Sequence, residues 1–260
     1  MTSRRPVCLA VAGLDPSGGA GIVADIRTFD AFGCRATAAV TSITFQNAIA
    51  VHGSHHLTGE QVRRQIEAVF EELDVAAVKI GMVPTADIVR SVASELNSHD
   101  IRNIVIDPVM ASSSGSELLE DGAADAIVKE LFPLATLVTP NMPEAECLTG
   151  ASIKDENAVW NAAKALQKAG ARNVLIKGGH FESDSELSRD FLFVGDEMTI
   201  FDSSRVHNAS VRGTGCMLSS AIAASLALGH ELNSAVKISK DYVYRLITQA
   251  DDLGADVDAE

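Results

Sequence analysis

Short β-branched runs alternate with longer amphipathic ones along most of the chain. "VCLAVAG" (7–13) is continuously apolar, the pattern of a strand buried on both faces. "GIVADIRTFDAFG" follows and reads as a helix ending at Gly33. Further strands are predicted at "ATAAVTSITFQ", "AAVKIG", "NIVIDPVM", "ATLVTPN" and "NVLIKGG". Helices are predicted between them at "TGEQVRRQIEAVFEEL", "TADIVRSVASELNSH", "DGAADAIVKELF" and "ENAVWNAAKALQKAG". Thr58 with Gln61 three residues on has the spacing of a capping box, Thr85 is a second N-cap, and Gly170 closes the helix before it. "RDFLFVGDEMTIFDS" predicts a hairpin turning at Gly195-Asp196. Two helices meeting near Gly229 finish the chain.

Strand–helix alternation at this spacing implies an α/β fold, a mostly parallel sheet covered by helices on both faces. No Gly/Ser- or Pro-rich linker and no internal repeat interrupts it, so a single domain over residues 1–260 is expected. In such folds ligands bind beyond the carboxyl ends of the strands. Those ends read "GLDPSGG", "FQN", "KIGM", "IDPVM", "TPNMPE", "KGGH" and, before the last two helices, "RGTGC".

Composition narrows the classes. The chain has 260 residues, 47% apolar and 22% charged, and a formal net charge of −14. That charge argues against nucleic acid or an anionic membrane as main partner and leaves room for a local phosphate site. Part of it lies in "DDLGADVDAE" (251–260), expected to fray in solvent. The apolar run near the N-terminus is too short for a secretory signal, and no stretch approaches a membrane span. Cys8, Cys34, Cys147 and Cys216 show no CxxC pair and are expected as reduced thiols in a cytoplasmic protein. His52, His55 and His56 in "VHGSHHL" lack zinc-ligand spacing and are expected in a surface loop.

The strand-end stretches carry the candidate chemistry. In "RGTGC" the glycines Gly213 and Gly215, with Thr214, let backbone N–H groups approach an anion, and the following helix adds its positive dipole end. The same dipole, with Arg212 adjacent, is expected to lower the pKa of Cys216 and favour a thiolate able to take a hydroxyl proton. The plain alternative is a tight turn with a packed cysteine. "GLDPSGGAGIVAD" is a glycine-rich turn into a helix without the Lys-Ser/Thr of a Walker loop, and Asp25 sits one turn in, where a solvated acid also suits the dipole. Thr44 and Gln46 share one strand face and Phe45 the other, and Gln46 offers both donor and acceptor to a heterocycle. Asp107, Asn141 and Glu144 are hard oxygen groups suited to Mg²⁺ beside phosphates, although Asn141 and Glu144 also have capping-box spacing. Lys177, Gly178 and Gly179 place a cation and amides where nucleotide phosphates would lie, or form an ordinary strand-end turn with an exposed lysine.

Taken in order, "AGLDPSGGAGIVADIRTF", "FQN", "KIGM", "DPVM", "TPNMPEA", "KGGH" and "GTGC" resemble the hydroxymethylpyrimidine/phosphomethylpyrimidine kinases of thiamine biosynthesis, within the ribokinase-like superfamily. The resemblance runs from about Val7 to the last helices. It implies a three-layer α/β/α sandwich with a small β element near the substrate, and a homodimer. It implies ATP-dependent phosphorylation of 4-amino-5-hydroxymethyl-2-methylpyrimidine and then its monophosphate, with Mg²⁺. Cys216 matches the catalytic position, Gly213, Thr214 and Gly215 the anion hole, and Gln46 the glutamine that reads the pyrimidine. Gly13, Asp25, Met82 and Val109 match other pocket positions, Asn141 and Glu144 the metal and phosphate motif, Asp107 a nearby acid, and Lys177 the nucleotide-side lysine. Two positions depart: Arg212 stands where the family has histidine, and Ser113 stands at the loop lysine of an "AKSG"-like run. Arg212 is expected to replace part of that lost charge at the phosphates. The alternatives are a pyridoxal kinase or dual-specificity enzyme, disfavoured by Ser112 where dual-cysteine relatives carry a second cysteine, and a non-catalytic pyrimidine-sensing module.

Overall fold

The computed structural model describes residues 5–111, 115, 117–179, 186–206 and 211–253. Strand β1 (Val7–Leu14) lies inside the sheet and its alternation fixes the two cores. Val7, Leu9 and Val11 enter one apolar cluster and Cys8 and Ala10 the other. Helix α1 (Gly21–Ala31) leads back to β2 (Arg35–Gln46), parallel to β1. Next come β3 (Val51–His56), α2 (Gly59–Glu72), β4 (Val75–Ile80), α3 (Ala86–Asn97) and β5 (Ile104–Ile106). Helix α4 (Ala123–Ala126) widens into a π turn (Ile127–Leu131), then tightens to a 3₁₀ turn (Phe132–Leu134) that accommodates Pro133. The chain continues through β6 (Leu137–Val138), α5 (Met142–Thr149), α6 (Glu156–Lys168), β7 (Asn173–Gly178), β8 (Leu187–Val194), β9 (Glu197–Ser204), α7 (Thr214–Ala227) and α8 (Leu232–Leu253).

Among the described residues the sheet has nine strands in the order β3-β2-β1-β4-β5-β6-β7-β8-β9. The pairs from β2 to β7 are parallel, while β3, β8 and β9 add antiparallel margins. Residues of α2, α3 and α6 fill one core; residues of α1, α7 and α8 fill the other. The expected three-layer α/β/α sandwich is therefore present. Helix α7 is buried from Met217 through Leu226, packed between α1, the sheet and α8. Its alanines and serines permit that close approach, and α8 covers it. No helix among the described residues is long and apolar enough to cross a membrane.

The local signals hold where they were strongest. Thr58 and Gln61 form a reciprocal capping box, and Thr85 caps α3 through the Ile88 N–H. The β8–β9 hairpin pairs Val194 with Glu197 across Gly195-Asp196. "VHGSHHL" differs: instead of a surface loop, residues 51–56 form β3, antiparallel to β2 with Thr44 opposite Ser54 and Phe45 opposite Gly53. The outer edge of β2 exposes backbone donors and acceptors that need partners, and this demand outweighs the weak strand propensity of His, Gly and Ser. Of the acidic tail, 251–253 close α8 and the rest lies outside the described residues.

Candidate active site

The carboxyl ends of the central strands and the start of α7 converge. Gly213 is the N-cap of α7 with φ 71°, a left-handed conformation that glycine adopts without strain. A side chain there would overlap the Gly19 carbonyl, so the turn packs directly on the loop after β1. The first N–H groups of α7, at Thr214, Gly215 and Cys216, have no partners within the helix and form a ready anion site. Gly21, at the start of α1, presents its backbone N–H to the Cys216 sulfur, and its own α-carbon lies against the Gly13 carbonyl. Two helix N-termini thus face one thiol.

Beneath the thiol is a charge pair that sequence reading missed. The Lys79 ammonium, from β4, lies 2.8 and 2.9 Å from the two oxygens of Asp25. Ser220, one turn after Cys216, donates its hydroxyl to Asp25 at 2.7 Å. Both charged side chains are fully buried. Asp25 is therefore not a solvated first-turn acid; α7 and β4 close over it. A lysine inside the apolar run "AAVKIG" was the available signal, because a buried charge demands a partner.

A second pair borders the turn at the ends of β5 and β7. Lys177 donates to Asp107 at 2.6 Å and lies 4.0 Å from Glu144. Thr139 and Ser219 hydroxyls also reach Asp107, at 3.3 and 3.4 Å. Lys177 is largely buried rather than an exposed strand-end lysine. A Cβ added at Gly215 would lie 3.3 Å from its ammonium, which ties this pair to the anion turn. Asn141 and Glu144 do form a reciprocal capping box, with bonds of 2.8 and 2.7 Å. Capping and site location coexist there, since Lys177 N–H bonds Pro140 and places both strand ends together.

A further wall of the site is assembled from β1, β2 and the residues after β4. The Thr44 hydroxyl donates to the Leu14 carbonyl at 2.9 Å, and that of Thr41 to the Met82 carbonyl at 2.7 Å. The Met82 sulfur lies 3.1 Å from where a Gly13 side chain would begin, so that glycine makes room for methionine. Thr44 is buried, Phe45 exposed and Gln46 half-buried at the strand end, as the alternation predicts. Val109 is half-buried and folds back to the Asp107 carbonyl. Gly179 is exposed just past β7, with its carbonyl bonded to Arg205. Ser112 and Ser113 lie outside the described residues.

Electrostatics revise the reading of Cys216. Burial pushes its thiol above the usual value of 9.0; Lys79 opposes this, Asp25 and Asp107 add to it, and the Gly21 amide opposes it. The expected lowering does not prevail, because desolvation of the thiolate is the largest cause. Arg212 turns instead to Asp15, at 2.6 Å, and to Ser17, at 3.0 Å, so the charge expected at the phosphates is already paired. Burial raises Asp25 against the pull of Lys79. Burial works against the charges of Lys79 and Lys177, yet their carboxylate partners hold both above the usual lysine value. Burial, opposed by Lys177 and reinforced by Asp107, pushes Glu144 up to about 7.

The strand ends thus bring together a thiol, a helix N-terminus suited to an anion and two buried ion pairs, an arrangement suited to moving an anionic group onto an acceptor. A family model described as phosphomethylpyrimidine kinase matches residues 15–259. The chain belongs to that family. A hydroxymethylpyrimidine/phosphomethylpyrimidine kinase of Haemophilus influenzae is 42% identical over 248 residues, 95% of this chain and 92% of the relative. The crystal structure of a phosphomethylpyrimidine kinase from Clostridium difficile superposes with TM-score 0.82 at 38% identity, covering 94% of this chain and all of that one. The pyridoxal kinase from Staphylococcus aureus in complex with AMP-PCP and pyridoxal superposes with TM-score 0.86 at 28% identity, covering 94% and 88%. Like its relatives, this phosphomethylpyrimidine kinase family member has the ribokinase-like fold and is a phosphotransferase.

Proposed function

We propose that the protein transfers the γ-phosphoryl group of ATP to the hydroxymethyl group of 4-amino-5-hydroxymethyl-2-methylpyrimidine, and then phosphorylates the monophosphate, for thiamine synthesis. The observation that carries this reading is the placement of Cys216 at the anion turn, between the Gly21 amide and the Lys79–Asp25 pair.

In this reading Gln46 and Thr44 face the aminopyrimidine, with Gly13, Met82 and Val109 as walls. Asp25 acts from below, through Lys79 and Ser220. The substrate hydroxyl faces Cys216, whose thiolate form takes its proton as the oxygen attacks the γ-phosphorus and ADP leaves. Gly213, Thr214 and Gly215 donate backbone N–H groups to the transferring group. Lys177, Asn141 and Gly179 serve the nucleotide side. Positioning and preorganised charge supply most of the acceleration, as in phosphoryl transfer generally. The raised pKa of Cys216 keeps it mostly a thiol at neutral pH in the free protein, so base catalysis gains with rising pH.

Mg²⁺ fits this site in one mode. Among the described residues no three His, Cys, Asp or Glu side chains gather as a metal cage. Asp107 and Glu144 are two hard carboxylates beside the anion turn, which suits an ion held mainly by phosphate and water. Bound there, it would neutralise charge on the phosphate oxygens.

The protein acts as a homodimer in the cytoplasm. Exposed Ile43 and Phe45 on the outward face of β2, with Ile49 beyond it, support a covered face. The free cysteines support a reducing compartment. Pyridoxal is the second acceptor to weigh, supported by the superposition on a pyridoxal-bound kinase. A coupled ADP-release assay with hydroxymethylpyrimidine, its monophosphate and pyridoxal tests the reading. We expect the two pyrimidines to be turned over with the higher kcat/KM; preference for pyridoxal, or no turnover of any acceptor, would refute it.

A further inference from the structure

The loop Asp15–Ala20 and the turn before α7 come from opposite ends of the chain and meet at one side chain. Arg212 donates from one terminal nitrogen to Asp15 Oδ2 at 2.6 Å and from the other to Ser17 Oγ at 3.0 Å. The other Asp15 oxygen accepts the Ser17 backbone N–H at 2.8 Å and the Ser17 hydroxyl at 2.7 Å. Asp15 is 3% exposed and Arg212 19%. A Cβ added at Gly19 would lie 3.0 Å from the Arg212 guanidinium carbon, so the side chain rests against the loop backbone itself. From the next residue, Gly213 packs its α-carbon on the Gly19 carbonyl. On the outer side Arg27 reaches the Gly18 carbonyl at 3.4 Å. The loop is therefore caught between the side chain of residue 212 and the backbone of residue 213.

The Arg212 guanidinium holds one partner on each terminal nitrogen, and the partner that fixes its direction is a buried carboxylate. Turning it to a phosphate would strip Asp15 of its partner and leave an uncompensated buried charge, which is costly. Holding the loop carries no such cost. The loop delivers Ala20, the N-cap of α1, and then Gly21, whose amide faces Cys216. The acceptor-side wall and the phosphoryl-side turn are thus joined through Arg212. In-line transfer needs those two walls in register, and a shift of about 1 Å can cost on the order of 100-fold in rate.

We propose that Arg212 is a positioning residue that, with Asp15 and Ser17, ties the β1–α1 loop to the start of α7 and so sets the acceptor against the anion turn. The catalytic part of this inference rests on the kinase reading above; the mechanical part does not.

The experiment compares wild type, Arg212→Gln, Asp15→Asn and the double variant in two measurements. Steady-state kinetics with hydroxymethylpyrimidine and ATP are expected to show each single variant losing on the order of 10–100-fold in kcat. The KM for ATP is expected to stay within about twofold, and the double variant to be no worse than the worse single, because both remove one interaction. Amide hydrogen exchange on the ligand-free proteins is expected to quicken at residues 15–21 in both single variants, with α2 and α3 protected as in wild type. A large rise in the KM for ATP in Arg212→Gln, with Asp15→Asn near wild type, would make Arg212 a phosphate ligand and overturn the proposal. Additive losses, or unchanged exchange at residues 15–21, would overturn it as well. A wild-type protein that phosphorylates no pyrimidine would sink the kinase reading, and the exchange data would still decide the tie.

Discussion

Cys216 draws its surroundings from three elements besides its own: Gly21 of α1, Asp25 one turn further along it, Lys79 of β4 and Asp107 after β5. Their combined effect is a thiol raised above 9.0, with burial the largest cause and Lys79 the main opposing charge. A thiol whose pKa is raised above 9.0 is mostly protonated at neutral pH and becomes reactive as pH climbs toward the raised value. In a Cys147→Ser background, which removes the exposed thiol, we expect iodoacetamide to modify Cys216 slowly at pH 7 and increasingly fast through and beyond pH 9. A plateau below pH 8 would show that the helix dipole wins over burial. Cys8 and Cys34 are buried and free, and should not compete in the folded protein. The residue types at the site were legible from sequence as strand-end chemistry. Their partners were not. Asp25 meets a lysine 54 positions away, and Arg212 an aspartate 197 positions away. Side-chain pairing over such distances leaves no local pattern, and so Asp25 looked solvated and Arg212 looked available.

Elements were legible where a local rule operates. The capping boxes at Thr58–Gln61 and Asn141–Glu144 and the turn at Gly195-Asp196 each depend on a few adjacent residues. Strand β3 was not, because it owes its form to the unpaired edge of β2 rather than to its own composition. The start of α7 shows both levels acting together. Gly213 is required locally by its left-handed φ and globally by the Gly19 carbonyl packed on it. Gly213→Ala is therefore expected to cost about 1–3 kcal/mol of stability. Moving the first turn of α7 should also lower kcat by more than it raises either KM. Chemical denaturation and steady-state kinetics on the same preparation check both; a variant as stable and as fast as wild type would remove the packing argument.

At the scale of the molecule, the parallel strands point their carboxyl ends the same way, and α7, buried along nearly its whole length, brings the glycine turn to them. One margin of the sheet, where β2 and β3 pair, carries Ile43 and Phe45 outward. For the proposed homodimer, sedimentation velocity is expected to give twice the 27.4 kDa chain mass, and Phe45→Glu is expected to weaken the assembly. A monomeric wild type at assay concentrations would reject the dimer without touching the chemistry. The fold class was legible from the alternation of strand and helix patterns, since that alternation leaves few ways to cover a parallel sheet.

The most direct test of the proposed chemistry is the kinetics of Cys216→Ala with hydroxymethylpyrimidine and ATP. Losing a positioned base is expected to lower kcat on the order of 10²–10⁴-fold. Both KM values should change only a few-fold, because the pyrimidine pocket and the anion turn stay in place. Full turnover by Cys216→Ala would contradict the assignment of this thiol as the proton acceptor.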